Sequence, residues 1–248
     1  MILVSNPKFC LEPFEEALEE VESEFEGWEI LAERHHGWEH REEVKDALST
    51  TKIQVQVHAP LNDINIASLN PDIRKTSVDE VKKSLKMASM IDAEMVTVHP
   101  GIYSPLSRYM EDIIELSKES LIELKRSAEE YGVNLAVENL PEMWLTLCSE
   151  PENIEYLTNE VGLDFCLDIG HAYIADSLEE FLNFSPVNVH IHDNEGDKDL
   201  HLPLGEGEIN LKRVLRSLKN FKGNYVIEGR NMEDLLESRD YLKRLIGD

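Results

Sequence analysis

Cysteine is scarce. Cys10, Cys148 and Cys166 form neither a C-x-x-C pair nor an even set, which argues against a disulfide framework or a thiolate zinc site and leaves them as reduced structural thiols. No apolar run approaches the ~20 residues of a membrane span, so no membrane segment is predicted. Basic residues are also few: 24 Lys and Arg stand against 50 Asp and Glu, a net charge of -26. A field of that sign repels polyanions, which makes nucleic acid an unlikely partner without excluding it, because a salty cytosol screens the repulsion over a Debye length of ~8 Å or less. The opening Met1-Ile2-Leu3-Val4-Ser5-Asn6-Pro7 has no basic n-region and reads as a strand running into a loop, so a cytoplasmic location is expected. No Gly/Ser linker, low-complexity tract or short repeat divides the chain, and no G-x-G-x-x-G follows the first strand.

What is present is a regular alternation of apolar strand-like and amphipathic helical runs. Strands are predicted at 2–4, 28–31, 53–58, 95–99, 134–138, 165–168, 187–192 and 225–228. Helices are predicted between them at 13–23, 40–48, 77–91, 107–131, 151–161, 178–182, 210–218 and 232–245. Ser77 with Glu80 and Ser177 with Glu180 have capping-box spacing, and Pro151 suits a first helical turn. Eight such units predict a single-domain (β/α)8 TIM barrel over residues 1–248, a length close to the roughly 250 residues usual for that fold. A doubly wound sheet is the alternative, and the missing glycine fingerprint disfavours it.

The phase of the strands carries the chemistry. One side of each barrel strand packs on helices and must be apolar, while the other points into the barrel, where its C-terminal end can hold functional groups. Val57, Val98, Val137, Leu167, Val189 and Ile227 are apolar, and each is followed by a metal-competent side chain in the opposite phase: His58, His99, Glu138, Asp168, His190 and Glu228. Two loops add His171, three residues after Asp168, and the pair Asp199 and His201 after strand seven; His192 merely continues strand seven. A lone histidine at a strand end is more often a satisfied core residue than a ligand. Six consecutive strands in one phase are a different matter. Packed carboxylates raise one another's pKa and resist burial unless a cation joins them, so a divalent metal, Zn or Mn, is expected, with one to three ions.

The pieces Val57-His58-Ala59-Pro60, Val98-His99-Pro100-Gly101, Val137-Glu138-Asn139, Leu167-Asp168-Ile169-Gly170-His171, His190-Ile191-His192-Asp193 and His201-Leu202-Pro203-Leu204-Gly205-Glu206-Gly207 resemble the xylose isomerase-like barrel superfamily. That superfamily holds sugar isomerases and epimerases and also the endonuclease IV, or AP endonuclease 2, family of abasic-site nucleases. For the nuclease branch, the resemblance implies a trinuclear zinc site at His58, His99, Glu138, Asp168, His171, His190, Asp199, His201 and Glu228. For the isomerase branch it implies one ion at Glu138, Asp168, His190 and Glu228, with His171 touching substrate and Glu138 and Glu228 as acid and base.

Two departures weigh against the nuclease branch: Leu61 stands where it usually has an aromatic residue, and Leu140-Pro141-Glu142-Met143-Trp144 replaces its Gly-rich segment. The expected function is therefore a metal-dependent isomerase or epimerase with a sugar or sugar phosphate as partner. An endonuclease IV-type phosphodiesterase and a noncatalytic small-molecule binder are the alternatives. Trp38, Tyr103 and Trp144 are expected in mouth loops, where they could stack on a sugar. Arg230 is a candidate phosphate contact, with Arg34, Arg108 and Lys198 the other basic residues near the mouth.

Overall fold

The alternating runs fold as eight parallel strands: β1 Ile2–Ser5, β2 Gly27–Leu31, β3 Gln54–His58, β4 Met95–Val98, β5 Asn134–Glu138, β6 Asp164–Asp168, β7 Asn188–Ile191 and β8 Asn224–Glu228. Each pairs with the next and β8 pairs with β1, closing a barrel in the computed structural model, which describes residues 1–107 and 113–247. All eight lie at the predicted places. The architecture is a (β/α)8 TIM barrel, and among the described residues no helix is long and apolar enough to cross a membrane.

The helices are α1 Phe14–Glu22, α2 Arg41–Leu48, α3 Pro71–Met90, α4 Ile113–Tyr131, α5 Pro151–Val161, α6 Ile169–Ile174, α7 Leu178–Phe181, α8 Leu211–Ser217 and α9 Met232–Gly247. Two readings of helix starts need correction. Helix α3 begins six residues before Ser77, because Asn70 caps the backbone N–H of Asp72 and Pro71 takes the first turn; Ser77 lies inside the helix, its hydroxyl donating to the Ile73 carbonyl and accepting from Asn65 N–H. Ser177 does precede α7, yet its hydroxyl donates to the Ala175 carbonyl and caps nothing. Pro151 opens α5 as expected, and Gly162 ends it at φ 72°, the left-handed conformation that glycine adopts without steric cost. Residues 108–112 of the predicted helix 107–131, Arg108 among them, lie outside the described residues.

Packing follows the strand phase. Val57, Val98, Val137, Leu167, Val189 and Ile227 are buried in the layer between sheet and helices, together with Leu85, Leu121, Leu124 and Ile154 from the helices. Pairing registers then set heights inside the barrel. His58 is level with Thr97, Glu138 with Cys166, and Asp168 with His190, so the inward groups climb in steps of two residues toward one mouth. All three cysteines are buried and unbridged.

Candidate metal centre

Glu138 is the hub. Fully buried at the end of β5, it lies against four imidazoles from four other places in the chain: Oε2 is 3.2 Å from His58 Nε2 and 3.3 Å from His99 Nε2, and Oε1 is 3.2 Å from His190 Nδ1 and 3.5 Å from His171 Nδ1. Glu228, at the end of β8, reaches His190 Nδ1 at 3.1 Å and His201 Nδ1 at 3.3 Å. Asp199 completes the ring, 3.0 Å from His201 Nε2 and 3.7 Å from His171 Nε2. Every one of the nine residues predicted from strand phase and loops therefore enters one cluster. It divides into neighbouring ligand-competent groups, including His58, His99 and Glu138; Glu138, Asp168 and His171; and His171, His192, Asp199 and His201.

Local structure fixes the direction of each ring. His58 Nδ1 faces the Ala59 carbonyl at 2.7 Å and His171 Nδ1 the Asn139 carbonyl at 3.0 Å; a carbonyl only accepts, so Nδ1 carries the proton and Nε2 is left for the cluster. His171 is expected on a loop three residues after Asp168, but Asp168 does not open a loop. It instead caps α6, accepting the His171 N–H on Oδ1 at 2.6 Å, so that a short helix places the two side chains on one face. Asn139 staples β5 to β6 by donating to the Asp168 carbonyl and accepting its N–H. His201 holds φ at 47°, a left-handed conformation that is costly for a side chain with a Cβ. Asn194 supports it by accepting the N–H groups of Leu200 and His201, while Asp193 accepts those of Asn194, Gly205 and Ile209.

Charge and burial oppose each other here. Burial would depress His58 and His171, but Glu138 beside the first and Asp168, Asp199 and Glu138 around the second raise them to about 9 and about 10. His190 is raised well above the usual imidazole value, because Glu29, Glu138 and Glu228 outweigh its burial. His99 goes the other way: burial dominates, and the Glu138 carboxylate it shares with His58 and His171 does not offset it. Glu138, Glu228 and Asp199 are all held below the ordinary carboxylate range, since the imidazoles around them outweigh burial. Held together without metal, the cluster keeps several protons on imidazoles that a metal would displace.

The donor set fits a divalent cation. Asp168 Oδ2, His190 Nδ1 and Asp199 Oδ1 are buried without a hydrogen-bond partner, a costly condition unless something else satisfies them. Imidazole nitrogen with carboxylate oxygen is the ligand chemistry of zinc or manganese.

Two buried residues of the site were missed by the sequence reading. Glu29, in β2, lies beneath His190, and His192 packs its ring on His201 with centroids 3.8 Å apart while Nε2 lies 3.2 Å from Asp168 Oδ1. The expected substrate contacts fare less well. Trp144 is exposed in a turn and Trp38 packs against the core, under Arg41; neither they nor Tyr103 line the cavity above the cluster. Arg230 is spoken for by the loop, its guanidinium donating to the Asp199 carbonyl at 3.3 Å.

A closed eight-stranded barrel with imidazoles and carboxylates gathered at the C-terminal strand ends is a TIM barrel that carries a candidate metal centre. The chain belongs to the xylose isomerase-like TIM barrel family, whose model matches residues 17–245. An uncharacterized protein of Methanocaldococcus jannaschii is 33% identical, the match covering 98% of this chain and 88% of that protein. A crystal structure described as a D-tagatose 3-epimerase-like protein superposes with a TM-score of 0.91 at 30% identity, covering 100% of this chain and 97% of its own. Similarity also reaches the Probable endonuclease 4 of Halothermothrix orenii, 26% identical over 75% of this chain and 77% of that protein.

Proposed function

We propose that the protein is a divalent-metal-dependent isomerase or epimerase of a small, unphosphorylated sugar. The observation that carries this reading is the cavity above the cluster. It encloses about 250 Å³, has Glu138 and Glu228 among its walls together with Leu31 and Leu61, and includes no Lys or Arg among the described residues that line it. That volume lies below the ~300–1,000 Å³ of drug-sized ligand sites and suits a molecule the size of a monosaccharide. Arg230, the candidate phosphate contact, donates to the Asp199 carbonyl and is not among the residues that line the cavity. The likeness to the D-tagatose 3-epimerase-like protein supports the same reading.

In this proposal Glu138, Asp168, His190 and Glu228 hold the ion, and His171 contacts substrate. The metal, when bound, supplies Lewis-acid polarisation of a substrate carbonyl and hydroxyl. Glu138 and Glu228 are anionic at neutral pH, so either can accept a proton from a substrate carbon, and the other, once protonated, can return one. General acid-base help of this kind contributes about 10²- to 10⁴-fold.

A second reading, a phosphodiesterase of the endonuclease IV type, is favoured by one observation: His58, His99, Asp199 and His201 are also drawn in, more groups than one ion needs. One experiment separates the two. Zn- or Mn-loaded protein is offered a panel of aldoses and ketoses in deuterated water, and separately an abasic DNA duplex. Sugar interconversion with deuterium entering at carbon is expected; metal-dependent nicking of the duplex with no interconversion would overturn the first reading. Elemental analysis gives an independent measure, one ion per chain favouring the isomerase and three the phosphodiesterase.

A further inference from the structure

The floor beneath the cluster is as ordered as the cluster itself, and its centre is a carboxylate. Glu29 points inward from β2 between the outward Trp28 and Ile30 and is fully buried. Four side chains from other strands converge on its Oε2: Gln56 Nε2 from β3 at 2.5 Å, Thr97 Oγ1 from β4 at 3.4 Å, and Asn188 Nδ2 and His190 Nε2 from β7 at 3.3 and 3.2 Å. Its Oε1 lies 3.0 Å from the same His190 Nε2. A buried carboxyl group is costly unless its oxygens find donors, and Gln56, Thr97 and Asn188 donate to Glu29 and hold it in place.

The opposite edge of the His190 ring faces upward. Nδ1 sits between Glu138 Oε1 and Glu228 Oε1, at 3.2 and 3.1 Å, and has no hydrogen bond of its own. A carboxylate on one nitrogen keeps the proton there and leaves the lone pair on the other. It also makes that lone pair more basic.

We infer that Glu29 is a positioning residue for the metal: by accepting the His190 Nε2–H it fixes the tautomer and plane of the ring and aims Nδ1 at an ion shared with Glu138 and Glu228. The inference rests on the reading of His190 as a metal ligand. Although Glu29 lies close enough to His190 and Glu228 to share an ion with them, its hydrogen bond to His190 Nε2 assigns it to the ring, and its effect passes through His190. Gln56 tests the distinction, since it touches Glu29 and not the ring.

The experiment compares the full-length protein with Glu29→Gln, Glu29→Asp and Gln56→Met. Zinc affinity is measured by chelator competition, and the nitrogen of His190 that carries the proton is read by long-range ¹H–¹⁵N correlation of the histidine-labelled, zinc-loaded protein. Glu29→Gln keeps shape and a weaker acceptor, so it is expected to fold, to lose roughly 10- to 100-fold in zinc affinity, and to shift the His190 nitrogen resonances. Glu29→Asp should recover part of the affinity. Gln56→Met should change zinc affinity by less than threefold and leave the His190 signal as in the parent.

If the parent binds zinc and Glu29→Gln matches it in affinity and in the His190 spectrum, the assignment of Glu29 is wrong while the metal site stands. If Gln56→Met weakens zinc as much as Glu29→Gln does, the layer acts only as packing and the inference fails. If the parent takes up no zinc, manganese or cobalt, the metal reading fails first and this inference with it.

Discussion

His192 Nε2 lies 3.2 Å from Asp168 Oδ1, and its other nitrogen meets the Asn194 side-chain amide at 3.3 Å. Asn194 Oδ1 already accepts from Leu200 and His201, so its amide nitrogen is the atom that turns to His192 and donates to Nδ1. The His192 proton must then sit on Nε2, facing Asp168. His192 thereby faces Asp168 with its protonated nitrogen, and it links the loop bearing Asp199 and His201 to the end of β6. That linkage leaves Asp168 Oδ2 as the oxygen open to a cation.

Gly170 makes the linkage sterically possible. A Cβ built there would lie 2.0 Å from His192 Cε1, so Gly170→Ala must push the ring away. Overpacking of this kind costs about 1–3 kcal/mol. The expected result is a melting temperature lower by roughly 2–12 °C, at ~2–4 °C per kcal/mol for a chain of this size. A larger loss of zinc affinity than in a control Gly247→Ala, whose Cβ meets nothing, would accompany it. Calorimetry with zinc titration checks both.

The metal-free protein should weaken as pH rises. His58 and His171, with folded values of about 9 and about 10, contribute stability that is fully present below the unfolded value of ~6.5 and is lost as pH climbs through those folded values. The Cys10 thiol, pushed up to about 11 first by burial and then by Glu33, acts in the same direction above pH ~8.5. Glu138, Glu228 and Asp199 are depressed, so their contribution is present above the ordinary carboxylate range and is lost in acid. His36, lowered to about 4 chiefly by burial, subtracts further below pH ~6.5. Chemical denaturation of chelated protein should therefore decline from pH 6.5 to 10; a rise across that window would contradict the geometry of the cluster.

Metal should reverse that slope. Zinc replaces protons on the imidazoles, so its stabilising effect grows as pH rises toward 8. At free zinc 1,000 times its dissociation constant the gain is about 4 kcal/mol, or roughly 8–16 °C in melting temperature. Chelation should remove it reversibly. Scanning fluorimetry with and without chelator at pH 6 and pH 8 measures the difference.

Removing the hub should cost the most. Glu138→Gln leaves His58, His99, His171 and His190 facing an amide in place of a carboxylate, and breaking a buried charge pair typically costs ~3–5 kcal/mol. Deuterium exchange into a sugar should fall to background in Glu138→Gln and Glu228→Gln, whereas His99→Ala should retain part of it. Equal loss in all three would favour the trinuclear phosphodiesterase, whose groups act as a unit.

Arg230→Ala should change stability by less than about 1 kcal/mol, as for other exposed polar contacts, and should leave the Michaelis constant for an unphosphorylated sugar within about twofold. Its expected effect is faster proteolysis of the Asp199 loop. A large change in the Michaelis constant would restore the phosphate contact expected from sequence.

Strand order and the six strand-end residues of the cluster were legible because burial of both faces leaves a barrel strand little choice, whereas His171, Asp199 and His201 were read only from their place in the loops beside those ends. At His58 or Asp168 the apolar neighbour must face the helices, so the polar residue must face inward. Glu29 obeys the same rule between Trp28 and Ile30, and phase applied to β2 would have found it. His192 shares the phase of His190 but lies one residue past β7, where alternation no longer constrains direction; only the loop bonds through Asn194 reveal it. The start of α3 was misread because Ser77 and Glu80 satisfy a local spacing, while Asn70-Pro71 supplies both a cap and a preset φ. Arg230 and Trp144 sit on loops, where sequence carries almost no information about direction.

The ring closure that joins β8 to β1 also dictates when the site comes into being. Its acids and imidazoles are spread from Glu29 to Glu228, one strand after another, and no stretch of the chain holds more than a part. A nascent polypeptide that has reached Glu138 offers only Glu29, His58, His99 and that carboxylate. Only after the final strand emerges and docks can an ion find His190 between its two glutamates. Under the proposed metal reading, uptake is thus a late event in the life of each molecule, and a chain cut in half should capture little until its pieces meet again.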